Sequence, residues 1–60
     1  MLDDKKLIDL LSDIGDQISG YRYTAGTVAR GIDPIRILES RKEILDRDLA
    51  KLIDYIKESY

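Results

Sequence analysis

The 60-residue sequence contains no cysteine and no histidine, and these absences exclude most familiar site chemistry. Without cysteine the chain forms no disulfide and no thiolate metal site. Without histidine it lacks the commonest zinc ligand and the commonest general base, so its serines have no triad to activate them. Asp9, Asp13 and Asp16 share one helical face, which we interpret as a solvated acidic surface rather than a cation site. We therefore expect no enzyme activity, no cofactor and no metal site.

Long hydrophobic runs are missing as well, since no apolar stretch exceeds two residues. Such runs are too short to cross a bilayer, and no signal-peptide pattern opens the chain. We therefore expect a cytoplasmic protein with no membrane partner. A chain of this length forms one small domain, whose core is marginal unless disulfides, a metal or a partner chain support it. Because cysteine is absent, oligomerisation is the support that we expect.

The first half of the sequence contains a seven-residue apolar repeat. Its members alternate in spacing between four and three residues: Leu7, Leu11, Ile14, Ile18, Tyr21, Ala25 and Val28. That spacing keeps one apolar seam along one side of a helix. Gly31 then predicts a helix end in the left-handed conformation. Asp33 and Pro34 predict the cap and the first helical position of a second helix.

A second apolar seam follows the bend and is wider than the first. It comprises Leu38, Leu45, Leu49, Leu52 and Ile56, with Ile37, Ile44 and Ile53 widening it on both sides. The sequence predicts one all-α domain over residues 1–60, an antiparallel two-helix hairpin with helices at about 3–30 and 34–59 and a bend at 31–33. One partner helix cannot cover so wide a face. We therefore expect two hairpins to dimerise into a four-helix bundle.

Residues 19–28 leave a second interpretation open. Glycine and threonine are poor helix formers, while Tyr21 and Tyr23 would suit a strand, with Ala25 and Gly26 forming the turn of a short β-hairpin. We favour a helix because the seven-residue seam passes through this segment without a slip. The small residues of the first helix also lie on one flank, which would let another helix approach closely.

These patterns favour a non-enzymatic interaction module, a small regulator that binds a protein partner through its helical surface. The side chains expected at the dimer or partner interface are Leu11, Ile14, Ile18, Tyr21, Ile37, Ile44, Leu45, Leu49, Leu52, Ile53 and Ile56. The sequence leaves open whether this apolar surface serves only a homodimer or also a foreign protein.

The charge is unevenly distributed, although the net charge is only −2. Residues 1–20 carry a net charge of −3, residues 21–42 carry +3 and residues 43–60 carry −2. The bend end of a hairpin is then basic and its other end acidic. One alternative function is therefore binding of structured RNA at the bend, although a solvated basic face explains the same pattern. The candidate side chains are Arg22, Tyr23, Arg30, Arg36 and Arg41.

Another alternative function is catalytic. Residues 31–34 (Gly-Ile-Asp-Pro) and 51–53 (Lys-Leu-Ile) resemble the small helical-hairpin aspartyl-phosphate phosphatases of spore-forming bacteria, whose second helix carries a Ser-Gln-Glu-Leu-Asp motif. The resemblance implies a hairpin phosphatase that acts on a response regulator. The motif itself departs from the family, because two extra residues separate Ser40 from the Leu-Asp pair that ends at Asp46. In the other register, Ala50 stands where the functional Asp belongs.

Overall fold

A computed structural model describes residues 4–59 as two long α-helices joined by a short bend. Helix α1 spans Asp4–Ala29 and helix α2 spans Ile35–Glu58. The two helices pack side by side along the hairpin. The predicted all-α hairpin is therefore confirmed. The first residue of the predicted first helix, at position 3, lies outside the described residues.

Helix α1 continues without a break through residues 19–28, so the alternative of a short β-hairpin there is wrong. Two side chains of this segment, Thr24 and Thr27, are buried. The Thr27 hydroxyl donates a hydrogen bond of 2.9 Å to the Thr24 carbonyl, which satisfies the buried oxygen. Tertiary packing on α2 therefore outweighs the weak helix propensity of the local sequence.

The bend begins with a left-handed residue, as the sequence predicts. Gly31 has a φ angle of +77°. Its N–H donates to the Val28 carbonyl at 3.0 Å, and the N–H of Ile32 donates to the Thr27 carbonyl at 2.9 Å. This pair of hydrogen bonds is the Schellman motif, which satisfies carbonyl groups that the helix end would otherwise leave unpaired.

The start of α2 differs from the sequence prediction. Pro34 is the residue that precedes the helix, with φ −73° and ψ 152°, and no side chain caps the helix end. The predicted capping role of Asp33 is therefore wrong, and α2 begins at Ile35. The reason is the extended ψ angle of Pro34, whose carbonyl accepts the first hydrogen bond, from the N–H of Ile37 at 3.1 Å.

The hairpin is long and thin, with principal-axis extents of 46 × 15 × 9 Å. Its radius of gyration is 14.0 Å, whereas a compact chain of this length has about 10 Å. Two helices side by side enclose little interior. Among the described residues, Ile14 is the one buried hydrophobic side chain, at 7% exposure.

The predicted seam of α1 faces α2 except at two positions, since its other five residues are buried or half-buried. The buried and half-buried side chains of α1 are Leu7, Leu10, Ile14, Gln17, Tyr21, Thr24, Ala25, Thr27 and Val28. Leu11 and Ile18, which belong to the predicted seam, are instead 49% and 42% exposed. The residues three and four positions after a seam residue lie on opposite sides of it. The seven-residue repeat alone therefore cannot tell which of the two faces α2. On the observed side the Arg41 guanidinium passes close to Gly20, where a Cβ would lie 3.4 Å from Arg41 Nη1.

The seam of α2 is also narrower than predicted. Its half-buried aliphatic members are Leu38, Leu45, Leu52 and Ile56. Leu49, which the sequence places in the seam, is 38% exposed, and the half-buried position in this turn belongs to Asp48. Much of the apolar surface of both helices therefore points away from the hairpin.

Candidate interaction surfaces

The predicted interface residues divide into two groups. Ile14, Tyr21, Leu45, Leu52 and Ile56 are buried or half-buried in the hairpin. Leu11, Ile18, Ile37, Ile44, Leu49 and Ile53 are exposed. Sequence reasoning missed Ile8, Ile32 and Ile35, which are exposed as well. The signal for Ile8 was available, because Ile8 precedes Leu11 by three residues and extends the same flank.

The two sides of the hairpin are identified by contacts across the seam. Lys6 places its Nζ 4.7 Å from the ring centroid of Tyr55, a cation–π arrangement. Farther along, the Arg41 side chain lies beside Gly20. Lys6 therefore lies on the same side of the helix–helix contact as Tyr55, and Gly20 lies on the same side as Arg41. At 3.6 residues per turn, these contacts assign the remaining positions of each helix to one side or the other.

The side opposite Lys6 and Tyr55 carries most of the exposed aliphatic side chains. We call it the terminal apolar face and define it by Ile8, Leu11, Ile18, Leu49 and Ile53. The first three lie within an arc of about 80° on α1, on the far side of Ile14 from Lys6. The other two lie on α2, on the far side of Leu52 from Tyr55. This surface runs from the end of the hairpin opposite the bend to just past its middle, where Ile18 lies.

The side that carries Lys6 and Tyr55 is more polar. Its exposed aliphatic side chains on α2 are Ile37 and Ile44, which are seven residues apart. An open groove of about 260 Å³ lies on this side near the termini. It is lined by Lys6, Leu10, Lys51, Asp54, Tyr55 and Glu58. Two lysines and two carboxylates line the groove, so its formal charges cancel. The groove therefore favours neither anionic nor cationic ligands.

An ion pair borders the terminal apolar face toward the bend. Lys42 donates a hydrogen bond of 2.9 Å to the Asp46 carboxylate one turn later. This hydrogen bond, together with the charge of the same carboxylate, raises the pKa of Lys42 above its ordinary value. Both side chains are exposed, so the pair adds little to stability. Its structural effect is a polar margin to the apolar surface.

The basic candidates near the bend do not gather on one surface. Tyr23 and Arg30 are seven residues apart and project to the same side, whereas Arg22 projects about 100° away from Tyr23. On α2, Arg36 and Arg41 are five residues apart, which separates them by about 140°. These directions spread positive charge around the hairpin end. No contact described here tests the RNA hypothesis, which stays a prediction.

The polar side chains relevant to catalysis are engaged within their own helix or lie in water. Ser40 donates a hydrogen bond of 3.0 Å from its hydroxyl to the Arg36 carbonyl. The aspartates Asp9, Asp13 and Asp16 are exposed. Over residues 4–59, no three acidic, histidine or cysteine side chains are close enough together to hold a metal ion. The hairpin-phosphatase hypothesis likewise stays a prediction.

Neither described helix has a stretch that is long and apolar enough to cross a membrane. Comparison of the chain with protein-family models, with curated proteins and with solved structures gives no match in any of the three.

Proposed function

We propose that this chain is a small non-enzymatic regulator that acts by helix-to-helix association with other chains. The observation that supports the proposal is that far more large hydrophobic side chains are exposed than buried. Within residues 4–59, one hydrophobic side chain, Ile14, is buried, whereas ten large hydrophobic side chains are exposed. Apolar surface that water contacts in one chain drives association with another.

The assembly that we propose is a homodimer of hairpins in a four-helix bundle. A single hairpin measures 15 × 9 Å across, which is too thin to enclose a core. Two hairpins stacked face to face bury their inner surfaces against each other, as four-helix bundles do. Two-fold symmetry is the commonest way to close such an assembly.

The proposed regulator binds its protein partner on helical surface that remains outside the bundle. Ile37 and Ile44 are suited to this role, because they form an exposed strip on one side of α2. Apolar residues seven positions apart, or about two turns, lie on one face of a helix and are common anchors in helix–helix recognition. The partner would cover these side chains with an apolar surface of its own.

The experiment is a native mass measurement of the protein purified from cells that naturally produce it. We expect a dimer with a stoichiometric protein partner. The partner should be lost from a variant that carries both Ile37→Glu and Ile44→Glu, while circular dichroism shows the same helix content. A fully folded monomer without a partner would contradict the proposal. Salt-sensitive binding of mixed RNA would instead support the nucleic-acid alternative, and dephosphorylation of a response regulator would support the phosphatase.

A further inference from the structure

The terminal apolar face is continuous across both helices. The contacts across the seam fix the register of the helices, and this register sets Ile8 level with Ile53 and Leu11 level with Leu49. Ile18 continues the row toward the bend. The two helices therefore contribute jointly to one surface, and a partner that covers it must span both of them.

The middle of this surface is open to close approach. Gly15 lies between Leu11 and Ile18 on the same flank of α1, and a Cβ at Gly15 would meet nothing within 4 Å. The hairpin itself therefore does not require glycine at this position. Gly15 is also close to the midpoint of α1, which spans Asp4–Ala29. A helix that crosses here can bring its backbone nearer than a larger side chain would allow.

The accessible area of the chain matches what a dimer of this size needs. The hairpin exposes 4776 Å². A folded monomer of 6.9 kDa is expected to expose about 4,000 Å². The excess is close to 800 Å², which is about the area that each partner contributes to a standard protein–protein interface. One interface with a chain of the same size therefore accounts for the excess.

The charge distribution selects an orientation for a second copy. Residues 21–42, at the bend end, carry a net charge of +3, while residues 1–20 and 43–60 carry −3 and −2. Two hairpins with their bends at the same end would place two basic ends together. With the bends at opposite ends, each basic end lies beside an acidic end of the other hairpin, which is favourable at low ionic strength.

We infer that the terminal apolar face is the surface on which a second copy of this chain docks. The two-fold axis runs across the helices between the two layers, near Gly15, and places the bends at opposite ends. In this arrangement α1 packs on α1 of the partner, and Ile37 and Ile44 stay outside the bundle. The inference rests on the proposed function, because it specifies the homodimer that the proposal requires.

Two variants test whether the terminal apolar face forms the dimer interface. They replace side chains that are almost equally exposed in the single hairpin. Leu49 is 38% exposed on the terminal apolar face, and Ile44 is 37% exposed on the other side of the same helix. We expect Leu49→Glu to weaken dimerisation at least about hundredfold, because it would bury an unpaired carboxylate. Ile44→Glu should change the dimer dissociation constant less than about threefold, since its carboxylate stays in water. Sedimentation equilibrium measures both constants, and circular dichroism checks the helix content.

The orientation is tested separately by cross-linking, for which the natural absence of cysteine is an advantage. A single cysteine is introduced as Gly15→Cys, near the proposed axis, or as the control Gly26→Cys, which is also open. Gly26 lies on the same side of α1 but about 17 Å closer to the bend, so with the bends at opposite ends its two copies lie about 33 Å apart. With a short bis-maleimide, Gly15→Cys should give a covalent dimer and Gly26→Cys should not. Equal cross-linking of the two variants would overturn the orientation.

The outcomes separate this inference from the proposed function. A wild-type chain that stays monomeric at every concentration tested contradicts the homodimer, and the inference with it. A wild-type dimer that tolerates Leu49→Glu, or that is disrupted by Ile44→Glu instead, contradicts only the assignment of the face. In that case the regulator proposal stands, and a different surface joins the two copies.

Discussion

Two glycines of this chain have different structural roles. Gly31 adopts a positive φ angle of 77° at the end of α1, a conformation that costs L-residues with a side chain about 1–2 kcal/mol. Gly26 lies inside α1, and a Cβ there would meet nothing within 4 Å. Its backbone is helical, so glycine only weakens the helix at this position.

The same substitution at these two positions should therefore have opposite effects. Gly26→Ala is expected to raise the free energy of unfolding by up to about 1 kcal/mol, because alanine is the better helix former. Gly31→Ala is expected to lower it by about 1 kcal/mol or more, because alanine resists the left-handed conformation. Urea denaturation at one fixed protein concentration measures both changes. Changes of the same sign would show that the φ angle at residue 31 does not control this helix end.

At the scale of the helix, the main feature of α1 is that its apolar residues exceed what α2 can cover. Leu7, Ile14, Tyr21 and Val28 recur every seven residues, and the sequence predicts their side of α1 correctly. Which side chain between two of these residues contacts α2 depends on how the helices pack. Leu10 replaces the predicted Leu11, because α2 docks on that flank. The sequence could not predict this choice, since leucine is available at both neighbouring positions.

Because Ile14 is the buried hydrophobic residue at the seam, truncating its side chain should destabilise the hairpin. Ile14→Ala is expected to lower the free energy of unfolding by about 2–4 kcal/mol, through lost burial and the cavity that it leaves. The control is Ile44→Ala, which removes the same atoms from an exposed position and should cost about 1 kcal/mol or less. Thermal unfolding at equal concentration measures both variants. Equal losses would mean that Ile14 packs no better than an exposed side chain.

At the scale of the whole molecule, one hairpin is a poor candidate for an independently stable protein. Its radius of gyration of 14.0 Å describes a rod rather than a globule. Small domains bury too little surface to be stable without additional support, and disulfides are impossible in this chain. The proposed association would supply the missing burial and would link stability to protein concentration.

The unfolding midpoint should therefore rise with protein concentration. For a homodimer of this size we expect an increase of about 5 °C for each tenfold increase in concentration, because mass action favours the folded dimer. Added salt should lower the midpoint at fixed concentration, since the acidic and basic ends attract each other less. Thermal unfolding followed by circular dichroism measures both effects. A midpoint independent of concentration would indicate a monomer.

The amino-acid pattern alone predicts the all-α hairpin, the left-handed end of α1 at Gly31 and the excess of apolar surface over what one partner helix can cover. These features follow from periodicity and from local backbone preferences, which act within a few residues. The flank of α1 that meets α2 depends instead on how the two helices pack. The folded structure also places Pro34 rather than Asp33 immediately before α2 and leaves Leu11, Ile18 and Leu49 facing outward. These features depend on how two surfaces fit together, and a one-dimensional pattern offers several fits of similar energy.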